Sequence, residues 1–250
     1  KPNDLANVLT DMALASPAIV VKRTYQRYCK KYENFPSIWP TQIARIFVNR
    51  MNTTEATAVV ELACGKKSED AHWKNLLTYG KHGNIQAMFD EYAHVISNGL
   101  DADNDLIKNM NTTIAGSMDI RTTIYTVDTF NGFKARVLGT KERPVSLRSH
   151  FAVAFTKGDG KEKDVDRKTT VRNAFNSPFR PFVLASTSIG QEGLDFHNYC
   201  RRIVHWNLPS NPIDLEQREG RINRFECLAI RQNIAKRYGN ISFETDIWKE

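Results

Sequence analysis

The sequence predicts an α/β chain, a parallel sheet flanked by helices and preceded by a mainly helical region. Three observations predict it. Apolar residues recur at helical spacing through roughly the first 110 positions, short continuous apolar runs alternate with helical stretches beyond about 120, and Gly and Pro punctuate both parts. The chain has 250 residues, 41% hydrophobic and 25% charged. It is long enough for one large domain or two small ones around a substantial core, and its charge content excludes wholesale disorder. No apolar run approaches the ~18 residues of a membrane span, so no membrane partner is expected. The sequence begins at Lys1 with no signal-peptide pattern, and it is expected to be a piece of something longer.

In order along the chain, Leu5, Val8, Leu9 and Met12 are spaced i, i+3, i+4, i+7, and Ile85, Met88, Phe89, Tyr92, Val95 and Ile96 continue the same period as a longer stripe. Breaks at Pro17, Pro36, Pro40, Gly65 and Gly80 to Gly83 divide this region into five to seven helices, and Asn98-Gly99 closes the last strong one. From about 120 the chemistry changes. Arg121 to Val127 is β-branched and alternating, with Phe133 to Leu138 as a candidate return strand. Three apolar runs follow, Phe151–Phe155, Phe182–Ala185 and Ile203–Trp206. Helical stretches at Asp166–Phe175 and Pro212–Arg224 accompany them. Continuous apolar strands alternating with helices indicate a parallel sheet covered on both faces, whose ligands meet the loops at the strand C-termini.

Charge and cysteine narrow the function classes. The net charge is +7, and residues 141–237 hold 18 Lys+Arg against 11 Asp+Glu, so the whole surplus lies there. Phosphate binding and a solvated basic face both account for such a concentration. The four cysteines, Cys29, Cys64, Cys200 and Cys227, are scattered without a CxxC pair, which points to a reducing, cytoplasmic (or, in a eukaryote, nuclear) setting. The nearest approach to a metal set, His197, Cys200 and His205, is irregular and lacks a fourth ligand, so no metal is expected.

Two loops carry the chemistry. Ser186 to Asp195 follows the 182–185 run. Gly190 and Gly193 there let backbone amides approach a phosphate, and Thr187 or Ser188 can donate to it. In the second, Asn211 is a helix cap with Pro212 as first residue. Along one expected helix Gln217, Gly220, Arg221 and Arg224 share an arc of about 100°, with Leu215 and Ile222 buried opposite. Guanidinium forks suit a polyphosphate, and a mid-helix glycine at a cost of ~1 kcal/mol is unexplained by a merely solvated face.

These residues resemble a known family. Gln217-Arg-Glu-Gly-Arg-Ile-Asn-Arg224 resembles motif VI (QxxGRxxR) of superfamily 2 helicases, and Ser186 to Asp195 resembles motif V at the expected distance upstream. His205 to Pro212 is similar to the segment entering motif VI, especially in the Swi/Snf-type and RapA-like branch, although Phe225-Glu-Cys-Leu228 departs from the continuation common there. The resemblance covers about 150–230. It implies the second RecA-like lobe of a nucleic-acid-dependent ATPase over 116–240, after a helical accessory or inserted region at 1–115 and before a tail at 241–250. Under it Arg221 and Arg224 are arginine fingers and Gln217 couples ATP to nucleic acid. Gly193, Asp195 and Gly220 line the nucleotide site, and Thr187 and Ser188 touch the DNA or RNA backbone. The partner is the N-terminal RecA-like lobe, which holds Mg²⁺ with the ATP.

The sequence lacks that lobe's parts. Gly65-Lys66 has Val60 where a phosphate loop needs Gly, Lys157 to Lys161 has the wrong spacing, and Asp90 to His94 sits in a helical stripe rather than at a strand end. The chain alone is therefore expected not to hydrolyse ATP. The rival readings are a nucleic-acid-binding module acting without ATP and a protein-interaction module built on the helical region.

Overall fold

The computed structural model describes residues 4–28, 35–64, 71–82, 84–97, 104–120, 123–127, 129–140, 145–149, 170–179, 181–186 and 195–240. Among the described residues of the first part there are seven helices: α1 (Leu5–Ala15), α2 (Pro17–Tyr28), α3 (Ile38–Met51), α4 (Thr54–Ala63), α5 (His72–Lys81), α6 (Asn84–Ser97) and α7 (Asn104–Met118). Pro17 starts α2 and Pro40 sits in the first turn of α3, the positions where a missing N–H is harmless. Gly80 is needed for a close approach: a β-carbon there would stand 3.0 Å from Cβ of Ala15, where α5 meets α1.

The stripe expected of α6 is the centre of the core. Ile85, Phe89 and Tyr92 are buried against Val20, Val21 and Tyr25 of α2, Ile43 and Phe47 of α3, and Ile107, Met110 and Ile114 of α7. Asp90, beside that stripe, is buried but paired. It accepts from Thr24 Oγ1 at 2.7 Å and from Gln86 Nε2 at 2.9 Å, and Arg27 closes an ion pair on its other oxygen. Burying a charge demands such partners. The α1 stripe turns out differently: the helix forms, but Leu5, Leu9 and Met12 face outward and only Ala15 is buried. One expectation from composition is corrected here too. Leu5–Tyr28 reaches, by length and a mean hydropathy of 1.3, what a membrane span requires. Its second half instead packs Val20, Val21 and Tyr25 into the helical core, and Ser16 breaks it into two helices.

Beyond α7 the chain passes through Ile120 into β1 (Thr123–Val127), which pairs antiparallel with β2 (Val145–Ser149), Tyr125 opposite Leu147. The expected return strand at Phe133–Leu138 is instead part of α8 (Phe130–Val137) and its cap. The Thr129 hydroxyl accepts from the Gly132 amide at 3.0 Å, and Gly139 takes φ of 68° beyond the end. Thr140 N–H then reaches the Ala135 carbonyl at 2.8 Å, so both ends of the helix are capped. Helical structure, α9, covers residues 170–175. Two further helices close the described chain, α10 (Pro212–Gly220) and α11 (Leu228–Tyr238).

Of the three apolar runs, Phe151–Phe155 lies outside the described residues, as do the 157–161 loop and the 241–250 tail. Phe182–Ala185 and Ile203–Trp206 are irregular rather than strands. Phe182, Val183, Val204 and Trp206 are open to water, Val183 85% and Trp206 95% exposed, whereas Ile203 is half-buried and Leu184 rests on Ile120, Val171 and Ala174.

Candidate functional site

The end of the first loop and the end of the second meet. Thr187, Ser188, Gly190 and Gly193 lie outside the described residues, but Asp195 is described and pairs with Arg224 through two parallel bonds. Nη1 lies 3.0 Å from Oδ2 and Nη2 lies 2.8 Å from Oδ1. This is fork-on-fork geometry, in which one planar guanidinium meets one planar oxyanion. Both side chains remain nearly half exposed, 49% and 44%. A pair so open to solvent contributes at most about 1 kcal/mol.

The backbone holds the two segments together around that pair. Asn176 Nδ2 donates to the Asp195 carbonyl at 2.6 Å, Phe196 N–H to the Arg221 carbonyl at 3.1 Å, and Leu228 N–H to the His197 carbonyl at 2.8 Å. Phe196 is buried edge-on against Phe175 of α9. The segment also rests on the helical core. Tyr199 and Phe179 stand edge-on to Tyr92, and Phe179 also reaches Phe89.

The α10 start is as the sequence predicts: Asn211 Oδ1 accepts from Ile213 N–H at 3.1 Å and Pro212 is the first helical residue. Its end is a correction. The helix stops at Gly220 with Arg221 as C-cap, so Gln217, Gly220, Arg221 and Arg224 do not share one helical face. Gly220 is the terminal residue, not a mid-helix one, and the space where its β-carbon would stand is open. Gln217 and Gly220 are exposed on α10, Arg221 is half-buried at its end, and Arg224 turns back to Asp195. Leu215 and Ile222 are half-buried rather than fully so.

Two cavities flank the pair. One of about 530 Å³ is bounded by His94 and Val95 of α6 and by His197, Arg224, Phe225 and Arg231. A second, about 320 Å³, shares His197 and Asn198 with it and adds Asp195, Arg172 and Asn176. His197 is held below its ordinary pKa by burial first. Asp195 pulls the other way, while Arg224 and Arg231 add to the depression. Burial first, and then the Glu91 carboxylate, which would repel a phenolate and accepts from the neutral hydroxyl, push the Tyr199 phenol up, so it stays a donor. Sequence reasoning missed Arg231 and Glu91, which join this site to α6. The one local signal was Glu91 beside the apolar stripe of α6. Among the described residues no group of three or more His, Cys, Asp or Glu is arranged to hold a metal ion.

No curated protein and no solved structure is significantly similar to the chain. Residues 118–226, running from the last residue of α7 to the turn before α11, match the helicase conserved C-terminal domain. That match supports a helicase C-terminal lobe over these residues, and with it nucleic-acid interaction in general.

Proposed function

We propose that residues 116–240 are the second motor lobe of a nucleic-acid-dependent ATPase of helicase superfamily 2, closest to the Swi/Snf-type and RapA-like branch. The observation that carries this reading is the Asp195–Arg224 pair, which brings the end of motif V to the end of motif VI. The Asp195 carboxylate stands where an oxyanion meets the Arg224 fork, so the residues present suit a phosphate. Arg224 and Arg221 are the arginine fingers, Gln217 couples them to nucleic acid, and Asp195, Gly193 and Gly220 border the nucleotide. Thr187 and Ser188 contact the DNA or RNA backbone. ATP supplies the transferable phosphoryl group, and its Mg²⁺ is held by the N-terminal RecA-like lobe. This chain's own contribution is cationic: fixed guanidinium groups aimed where negative charge develops.

A RecA-like sheet is part of the same inference. Exposed apolar segments at Phe182–Ala185 and Ile203–Trp206 support it, because such runs need covering on both faces. A reducing, cytoplasmic or nuclear setting is inferred from the free thiols of Cys64, Cys200 and Cys227. The alternative, a binding module without ATP, is favoured only by the basic surplus of 141–237.

In the full-length protein, Arg224→Ala is expected to lower nucleic-acid-stimulated ATP hydrolysis by ~10³-fold or more while ATP binding stays near wild type. Steady-state turnover and equilibrium nucleotide binding measure the two. Normal turnover in this variant refutes the finger assignment, and turnover by residues 1–250 alone refutes the two-lobe reading.

A further inference from the structure

Arg231 ties together three segments far apart in sequence. Its Nε and Nη2 donate to Oε1 of Glu91 on α6 at 3.2 and 3.0 Å, its Nη1 donates to the Glu226 carbonyl at 2.7 Å, and Nη2 also donates to the Asn198 carbonyl. The guanidinium lies over the Tyr199 ring, 5.4 Å from its centre, and the Tyr199 hydroxyl donates to Oε2 of the same Glu91. Both oxygens of one carboxylate on the helical region thus hold the segment that follows Asp195 and the segment that follows Arg224.

The backbone shows what this grip holds. Glu226 has φ of 54°, the left-handed region that costs a side-chain-bearing residue ~1–2 kcal/mol. Its carbonyl is the one Arg231 binds, and the turn beside it is closed by Cys227 N–H on the Arg224 carbonyl at 3.1 Å. Arg224 therefore hangs from a turn whose shape depends on a salt bridge to a helix outside the family-matched stretch. A charge that acts on a transferring phosphoryl group must be held to a fraction of an ångström.

We propose that Glu91 and Arg231 are positioning residues, a clamp through which the helical region sets Arg224 for catalysis. Neither touches nucleotide; both act through the 224–228 turn. The proposal rests on the motor-lobe reading and adds to it a role for the first 115 residues.

The test uses the full-length protein, ATP, and saturating duplex DNA or RNA. Glu91→Gln removes the charge, and Arg231→Lys keeps the charge but loses the fork. Each is expected to lower kcat by about 10- to 100-fold with KM for ATP changed less than about threefold, because positioning acts on the transition state rather than on binding. The double variant should be no slower than the slower single, since both break one unit. Hydrogen exchange should accelerate in 195–200 and 224–228 while α2 and α3 keep their protection. If Glu91→Gln fails to fold, Arg231→Lys decides alone. Unchanged kcat in a folded variant, or a raised KM at unchanged kcat, overturns the clamp and leaves the motor reading intact. A wild-type protein without nucleic-acid-stimulated turnover overturns the motor reading and the clamp with it.

Discussion

His197 links the stability of the fold to pH. Its Nδ1 is buried without a hydrogen-bond partner, and its pKa is depressed because burial outweighs the pull of Asp195. The folded protein thus holds the ring neutral under conditions where the unfolded chain, with an ordinary value near 6.5, takes up a proton. Stability from this group is intact above that value and is lost as pH falls through it, since the unfolded state then binds more protons. Denaturant midpoints of the protein between about pH 7.5 and pH 5.5 should fall, and His197→Gln should flatten part of that fall. An equal slope in both proteins would remove His197 from the account. At this scale the sequence exposed what is local. Asp195 and Arg224 lie in motifs whose residue types already suggest phosphate chemistry. Glu91 and Arg231 are 140 positions apart, and no local pattern reports such a pair.

At the level of elements, beginnings were easier to read than ends. Asn211-Pro212 announces the start of α10 because a side-chain acceptor and a missing N–H are both local chemistry. The QxxGRxxR spacing alone places Gly220 inside a longer helix, whereas the backbone ends that helix at Gly220. Likewise Phe133–Leu138 alternates well enough for a strand, but Thr129 and Gly139 cap it as a helix. The α1 period marks a helix but leaves open what covers its stripe, and Leu5, Leu9 and Met12 face outward. Gly220 now supports a sharper prediction. A β-carbon there meets no atom within 4 Å, so Gly220→Ala should leave stability unchanged or raise it by up to ~1 kcal/mol. If the glycine is kept for close approach of a nucleotide, the same variant should lower ATP turnover in the full-length protein. A stable variant with full turnover would show that Gly220 only ends a helix.

Across the whole molecule, α6 serves both parts of the chain. One side carries Ile85 and Phe89 into the helical core, and Tyr92 and Glu91 receive Phe179, Tyr199 and Arg231 from the helicase-like part. The 1–115 and 116–240 division expected from sequence thus crosses a packed interface, invisible beforehand because its contacts are long-range. Charge is distributed differently from packing. The residues outside 141–237 balance to zero, whereas 141–237 carries the whole surplus. Arg231 is held by Glu91, and the proposed motor lobe assigns Arg224 to ATP, so neither is counted toward nucleic acid. The other cations of that stretch must supply any phosphate contacts. If three do so on a duplex, log Kd should rise with log salt at a slope of ~2.7, a loss of roughly 40-fold in affinity between about 50 and 200 mM. Anisotropy titrations of the full-length protein with labelled duplex DNA and RNA measure that slope. Neutralising a cation that makes a contact should lower it by ~0.9, whereas Arg231→Lys, which keeps its charge on Glu91, should leave it unchanged. A flat salt dependence would instead assign the surplus to a solvated face and favour a protein-docking role for the helical region.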